Sequence, residues 1–556
     1  MKKVGILVVV SMLILGMFIF ANNVKYGGVV NLGSVTNIVE NFNPFYFGTY
    51  LSDFGVPFVY EPLMYINSVN EYITPLLATS YKWQDNNLKM VVAIRKDVEW
   101  NDGVPFTPED VVFTFNLLKK YPALDSYGVW SDISGLQSVS ASGDDVVFTF
   151  SKPNVPMYFN ILRTLIVPEH IWSKIKDPMT FVNADNPVGT GPFLRTSYSV
   201  ANNTENFSKN PNYWWEGRPY VDGIRYIGFV TNQGAFLQML KGESDEFDIA
   251  IASPEQTWVE KDPQNHLMLW QPYSSNILLM NDAKVPFNNA TFRKAISLAI
   301  NKKLLEDRAY WKTGGYDISQ TQMPPAQRGE WYDTSLASQD AYLSSYNPAE
   351  AQKLLESIGY TKNSAGVLVG PDGKSLPTFN ILVGVGWTDF ITMAQDISYD
   401  LKSIGITANM VQQTGATYRS SLSTGNFDMA ISSAGMGGSG PTPFYSYYAE
   451  FYPSFSALIG QSAISDFSRY TNPTITKALE TFTTTSDLSV QKQAMYEIEK
   501  VLIDELPVIV LTNRTGFELY NQERFVGWPS ISNFYSNGWA IHGLGTGVIA
   551  STLHLK

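Results

Sequence analysis

Apolar positions recur along this chain with two periods, and each period predicts a kind of element. Alternation with a period of two runs through "LKMVVAIRKDVEW" (Leu88 to Trp100) and "DDVVFTF" (Asp144 to Phe150), the spacing of half-buried strands. "YGGVVNLGSV" from Tyr26 opens as another strand, and "ENFNPF" from Glu40 breaks it. Between the first two lies "TPEDVVFTFNLLKKY", with Thr107 as N-cap, Pro108 at the first helical position, and Val111, Phe115 and Leu118 at helical spacing. Further on, Phe292, Ala295, Ile296, Ala299 and Ile300 form one buried helix face. "NPAEAQKLLESIGY" predicts a helix capped by Asn347, started by Pro348 and stopped at Gly359. The stretch from Thr378 to Gln412 predicts strand, helix and strand, with Thr388 as cap and Gly405 as stop. Such a βαβ unit implies a parallel pair with a helix packed across it. Ligands collect outside the carboxyl ends of strands in open α/β sheets. That rule points to two loops: "VGWTD" before the helix, and "AGMGGSGPTPFYSYY" (Ala434 to Tyr448) after the strand Phe427 to Ile431.

Composition narrows the chemistry. Aromatic residues make up 14% of the chain and charged residues only 16%, with 51 acids against 39 bases. No basic run follows the N-terminus, so no nucleic-acid partner is expected. There is no cysteine, which excludes disulfides, Fe–S clusters and Cys-ligated zinc. Lys2 and Lys3, the apolar run Val4 to Phe20 and Ala21 follow the order of a secretory signal, here 1–21. The alternative is a retained N-terminal anchor. The expected location is the periplasm.

Two glycine motifs resemble nucleotide loops. Gly435, Gly437 and Gly440 match G-x-G-x-x-G, but Pro441 and Pro443 follow, and "FYSYY" looks like an aromatic run rather than a helix start. Gly373-Lys374-Ser375 lacks the earlier glycine of a P-loop, since Leu368 stands there; Asp372-Gly373 predicts a hairpin turn instead. His170, His266, His542 and His554 are scattered and form no metal motif. Glu243, Asp245 and Glu246 are expected in a solvated loop. No cofactor, no metal site and no catalytic residue is expected, although a carboxylate pair of glycosidase type stays open.

Several separated blocks resemble one family. "IRKDVEWNDGVPFTPEDVVFTF" (Ile94 to Phe115), "NPVGTGPF" (Asn186 to Phe193), "NPNYWWEGRPYVDGI" (Asn210 to Ile224), "PFNNATFRKAISLAINKK" (Pro286 to Lys303) and "FDMAI" (Phe427 to Ile431) occur in order. They resemble the signature of the family 5 extracellular solute-binding proteins, the oligopeptide- and dipeptide-binding group of ABC importers. The resemblance implies a two-lobed α/β periplasmic binding protein fold, large, with mixed sheets, a hinge and an extra subdomain in lobe one. It implies lobe one over 22–57, 182–272 and 512–556, the subdomain over 58–181, and lobe two over 273–511. It also implies an inner-membrane ABC permease as partner, a monomeric receptor, and a scaffold role for Trp100, Gly103 and Gly189.

Peptide binders of the family follow the "FDMAI"-like strand with an aspartate for the peptide's amino terminus. No carboxylate stands between Ser432 and Tyr448 here, and an ammonium without a partner is costly to desolvate. A neutral ligand is therefore expected: β-linked cello- or manno-oligosaccharides, with a peptide or, more remotely, glycoside hydrolysis as alternatives. The candidate contacts are Trp387 and Asp389 in one loop; Met436, Gly437, Gly438, Ser439, Tyr445 and Tyr447 in the other; Trp539 from the tail; and the polar residues Asn43 and Asn281.

Overall fold

Two large mixed sheets carry most of the chain in the computed structural model, which describes residues 24–47, 52–229, 231–249, 251–270, 272–434, 440–516, 518–538 and 543–556. The expected secretory signal lies outside the described residues, and among those described no helix is long and apolar enough to cross a membrane. The first sheet has seven strands in the order His266–Leu269, Glu518–Asn521, Glu246–Asp248, Val29–Ser34, Gly223–Gly228, Thr204–Lys209 and Phe193–Ser199. Its centre is parallel: Val29–Ser34 pairs in parallel with both Gly223–Gly228 and Glu246–Asp248. The second has five strands in the order Ala408–Gln413, Phe379–Gly384, Met429–Ser433, Pro272–Met280 and Val508–Thr515. A four-stranded antiparallel sheet, built from residues between Ala78 and Phe150, forms a smaller body with the helix Pro108–Lys120. The chain passes between the two large sheets after Leu269 and again between Thr515 and Glu518.

Local signals explain the elements that position the second sheet's loops. The helix Thr388–Ser403 buries Phe390, Met393, Ala394, Ile397 and Leu401 on one sheet face, and Gly405 ends it at φ +88°. Trp387, not Thr388, is its N-cap. Tyr418 and Leu422 of the next helix, Gly415–Thr424, pack with Leu382, Ala430 and Ile277 on the opposite face. The three parallel strands thus run from Phe379–Gly384 outward to Ala408–Gln413, then back across to Met429–Ser433. The order reverses at Phe379–Gly384, and such a reversal opens a crevice at the strands' carboxyl ends.

Three expectations are corrected. "FYSYY" lies in a helix, Pro443–Phe451, with Thr442 as N-cap. Its aromatics at i, i+3, i+4 and i+7 from Phe444 form a packing face, with Phe444 stacked on Phe482 at 4.7 Å. Pro441 and Pro443 lack the amide donors that a phosphate loop needs at those positions. Asp372-Gly373 does turn the chain, with Gly373 at φ +77° and Val369 bridging Ser375, but the strand Phe379–Gly384 pairs elsewhere. The third concerns the acids: Asp245 and Glu246 are 2% and 0% exposed, on or beside a central strand, and only Glu243 faces water.

Candidate ligand site at the carboxyl edge of the five-stranded sheet

The strand-end rule selects one edge of the five-stranded sheet, where Gly384, Gln413, Ser433 and Thr515 end their strands beside the start of Pro272–Met280. Trp387 stands there, 37% exposed. Its ring meets Tyr418 at 5.1 Å and 76°, and Phe390 at 5.6 Å and 89°. Gly384 makes this position possible, because a Cβ at that residue would lie 2.3 Å from Trp387 Cδ2. Two residues on, Asp389 Oδ2 accepts the Tyr310 hydroxyl at 2.9 Å. Burial first, and then Asp389, hold the Tyr310 phenol well above its ordinary pKa, so it stays a neutral donor.

Strand polarity supplies the rest. Val508–Thr515 begins apolar and ends in Thr512, Asn513 and Arg514; Pro272–Met280 begins with Tyr273, Ser274, Ser275 and Asn276 and ends apolar. Arg514 Nε donates to the Tyr273 hydroxyl at 2.9 Å, and Arg514 Nη1 to Ser433 Oγ. Asn276 Nδ2 donates to Thr512 Oγ1 at 2.8 Å. Burial opposes the Arg514 charge, but Tyr273, Tyr310 and Asp389 outweigh it and hold its proton tightly. The edge therefore offers a part-exposed indole, a guanidinium, the hydroxyls of Tyr273 and Ser433 and one carboxylate, while Asn276 is fully buried.

Four other expected contacts have structural positions. Asn43 is fully buried, and its amide donates to Pro178 and Phe181 carbonyls, both at 3.0 Å. Asn281 is fully buried and donates to the Gly425 carbonyl at 2.9 Å. Tyr447 is 1% exposed, its hydroxyl bonded to the Thr321 carbonyl at 2.7 Å. Tyr445 reaches away to the Pro156 carbonyl at 2.7 Å. These side chains satisfy backbone groups from distant segments, as buried carbonyls require. Met436, Gly437, Gly438, Ser439 and Trp539 lie outside the described residues. Arg514 and Tyr273 were missed; the signal for them was the polar end of an otherwise apolar strand.

The signature blocks build scaffold around a different residue. Glu61, 3% exposed, accepts the Tyr213 hydroxyl at 2.7 Å and Trp214 Nε1 at 2.8 Å. Arg95 lies over the Trp214 ring at 4.1 Å. Burial pushes the Glu61 carboxyl up to about 7, against the bonds from Trp214 and Tyr213 and the charge of Arg95. Gly189 packs so closely that a Cβ would lie 2.0 Å from the Val59 carbonyl oxygen. Trp100 is fully buried and bonds Asp110, which also closes the capping box with Thr107.

Glu246 and Glu518 sit on adjacent strands of the seven-stranded sheet at 0% and 1% exposure, away from the edge that carries Trp387. Burial pushes both carboxyls well above the ordinary range. Among the described residues no group of three or more His, Asp or Glu side chains is arranged to hold a metal ion.

Comparison with known proteins agrees with this architecture. The profile of the bacterial extracellular solute-binding proteins, family 5 (middle), matches residues 72–455. The chain is 22% identical over 491 residues to the peptide transport periplasmic protein SapA of Salmonella typhimurium, covering 84% of this chain and 83% of that one. It is 25% identical over 459 residues to the nickel-binding periplasmic protein of Escherichia coli, covering 80% and 81%. Among solved structures, it superposes on the periplasmic oligopeptide-binding protein of an oligopeptide ABC transporter from Thermotoga maritima with a TM-score of 0.83 at 26% identity, covering 95% and 99%. The mannohexaose-bound structure of that protein gives 0.75 at 26%, covering 95% and 98%. Family and fold are those of two-lobed binding proteins, and the chain belongs to the bacterial extracellular solute-binding proteins, family 5.

Proposed function

We propose that this protein is the periplasmic substrate-binding component of an ABC importer. In this reading it captures β-linked oligosaccharides of the cello- or manno-type in a hinged cleft and delivers them to an inner-membrane permease. Lobe one comprises the expected 22–57 and 182–272, the subdomain 58–181 and the tail, and lobe two the expected 273–511 extended to Thr515, where the last strand of the five-stranded sheet ends. The observation that carries the ligand class is the chemistry of one edge: the part-exposed Trp387 ring beside the hydroxyls of Tyr273 and Ser433 and the guanidinium of Arg514. Sugar rings present apolar faces to aromatics and hydroxyls to placed polar groups. The stretch from Ser432 to Tyr448 adds glycines and no carboxylate for an ammonium. A Thermotoga maritima relative at 26% identity has been solved with mannohexaose bound, which supports the same class.

A peptide ligand is the second reading, favoured by the names of the Salmonella and Thermotoga relatives. The test is incubation with di- to hexasaccharides followed by chromatography and thermal melting. A binding protein returns the sugar uncut and melts higher, since ligand at about a hundredfold over Kd adds roughly 2.7 kcal/mol. Cleaved sugar contradicts the reading.

A further inference from the structure

Lobe two meets lobe one at a second place, apart from the two chain crossovers. Tyr445 donates its hydroxyl to the Pro156 carbonyl at 2.7 Å, and its ring lies 5.1 Å from Phe159. Trp331 Nε1 donates to Glu71 Oε1 at 3.0 Å. Val155 N donates to the Thr483 carbonyl at 2.9 Å, and Asn87 Nδ2 to the Thr484 carbonyl at 3.2 Å. Pro156, Phe159, Glu71, Val155 and Asn87 all belong to the inserted subdomain; their partners come from three helices, or the ends of helices, beside the five-stranded sheet.

The two principal donors share a joint. A Cβ at Gly440 would lie 2.3 Å from the Tyr445 ring, so that ring rests directly on the Gly440 backbone. The Gly440 carbonyl accepts Gln327 Nε2 at 3.1 Å, and Gln327 sits on the same short helix, Pro325–Trp331, as Trp331. Gly440 is also the last glycine of the segment that begins at Gly435. A displacement of Gly440 therefore presses on Tyr445 and pulls on the helix carrying Trp331.

We propose that Tyr445 and Trp331 form a latch that holds lobe two against the inserted subdomain and sets the population of lobe arrangements, with Gly440 as the joint that ties the two donors together. The latch stands on the contacts alone; its coupling to ligand rests on the oligosaccharide reading above. Two states separated by few contacts shift when a contact is lost, and two hydrogen bonds correspond to roughly a tenfold change in their ratio.

The test is small-angle X-ray scattering on the ligand-free full chain and on the double variant Tyr445→Phe, Glu71→Asn. Phenylalanine keeps the ring and removes only the hydroxyl. Asparagine suits the left-handed backbone of Glu71, φ +62°, but is too short to reach Trp331. The expected result is a larger radius of gyration for the variant at an unchanged melting temperature. An unchanged radius in the folded variant overturns the latch. Should the double variant fail to fold, Tyr445→Phe alone decides by the same readout. Titration with mannohexaose forms a separate arm: if the wild type binds no sugar, the ligand reading fails while the scattering result still judges the latch. If it binds, unaltered affinity in the expanded variant overturns the coupling.

Discussion

Trp387 and Tyr418 meet edge to face, ring centroids 5.1 Å apart, and this contact together with Phe390 fixes the indole while leaving 37% of Trp387 exposed. An aromatic ring fixed by its neighbours with more than a third of its surface open is a preorganised stacking platform. Removing it by Trp387→Ala is expected to weaken oligosaccharide binding by ~2 kcal/mol, the scale of a central interface aromatic. That is about thirtyfold in Kd. Calorimetric titration measures it, and a circular-dichroism melt checks that the fold is retained.

Gly384→Ala tests the same platform without touching the ring. The new methyl would overlap the indole, 2.3 Å from Cδ2, so the ring must leave its place. Overpacking of this kind costs ~1–3 kcal/mol of stability. The expected outcome is a lower melting temperature, altered tryptophan fluorescence, and a binding loss approaching that of Trp387→Ala.

Asp389→Asn separates charge from shape. The amide oxygen still accepts from Tyr310, so the local geometry is retained. A carboxylate that receives ligand hydroxyls forms charge-assisted bonds roughly twice as strong as neutral ones. Sugar affinity is expected to fall by about tenfold, the equivalent of ~1.4 kcal/mol, with little change in melting temperature. Equal affinity would remove Asp389 from the ligand's contacts.

Buried acids give a pH dependence whose sign is fixed. Glu61 is pushed up to about 7, Glu306 to about 7 and Glu499 to about 8, burial being the largest cause in each case. A carboxyl raised on folding favours the folded state while protonated. Its contribution is full below the unfolded value of 4.5 and is lost as pH rises through 7 or 8. Lys302, lowered to about 7 by burial, runs the other way, adding stability only as pH climbs from 7 toward its unfolded value. Stability to urea is therefore expected to decline between pH 5 and about 8, and Glu61→Gln should flatten part of that decline.

Much of the fold was legible because its signals are local. Caps, proline starts and glycine stops lie within a few residues of the helices they bound, as at Asn347, Pro348 and Gly359. The strand-end rule put Trp387 and Asp389 at one edge because a βαβ unit carries its topology in consecutive sequence. Non-local partners were not legible. Asn43 resembled a ligand contact until its acceptors appeared 135 and 138 residues away. Arg514 was passed over because a lone arginine at a strand end says nothing of the Tyr273 hydroxyl 241 residues earlier. The Pro443–Phe451 helix was misread because tyrosines face both the core and the subdomain, which erases the usual polar stripe.

Calorimetric titration of the purified protein with mannohexaose and cellohexaose, beside di- to hexapeptides, tests the central claim most directly. The account predicts saturable one-to-one binding of at least one oligosaccharide and no heat from peptides with free amino termini. Binding of the peptides with no response to either sugar would contradict it.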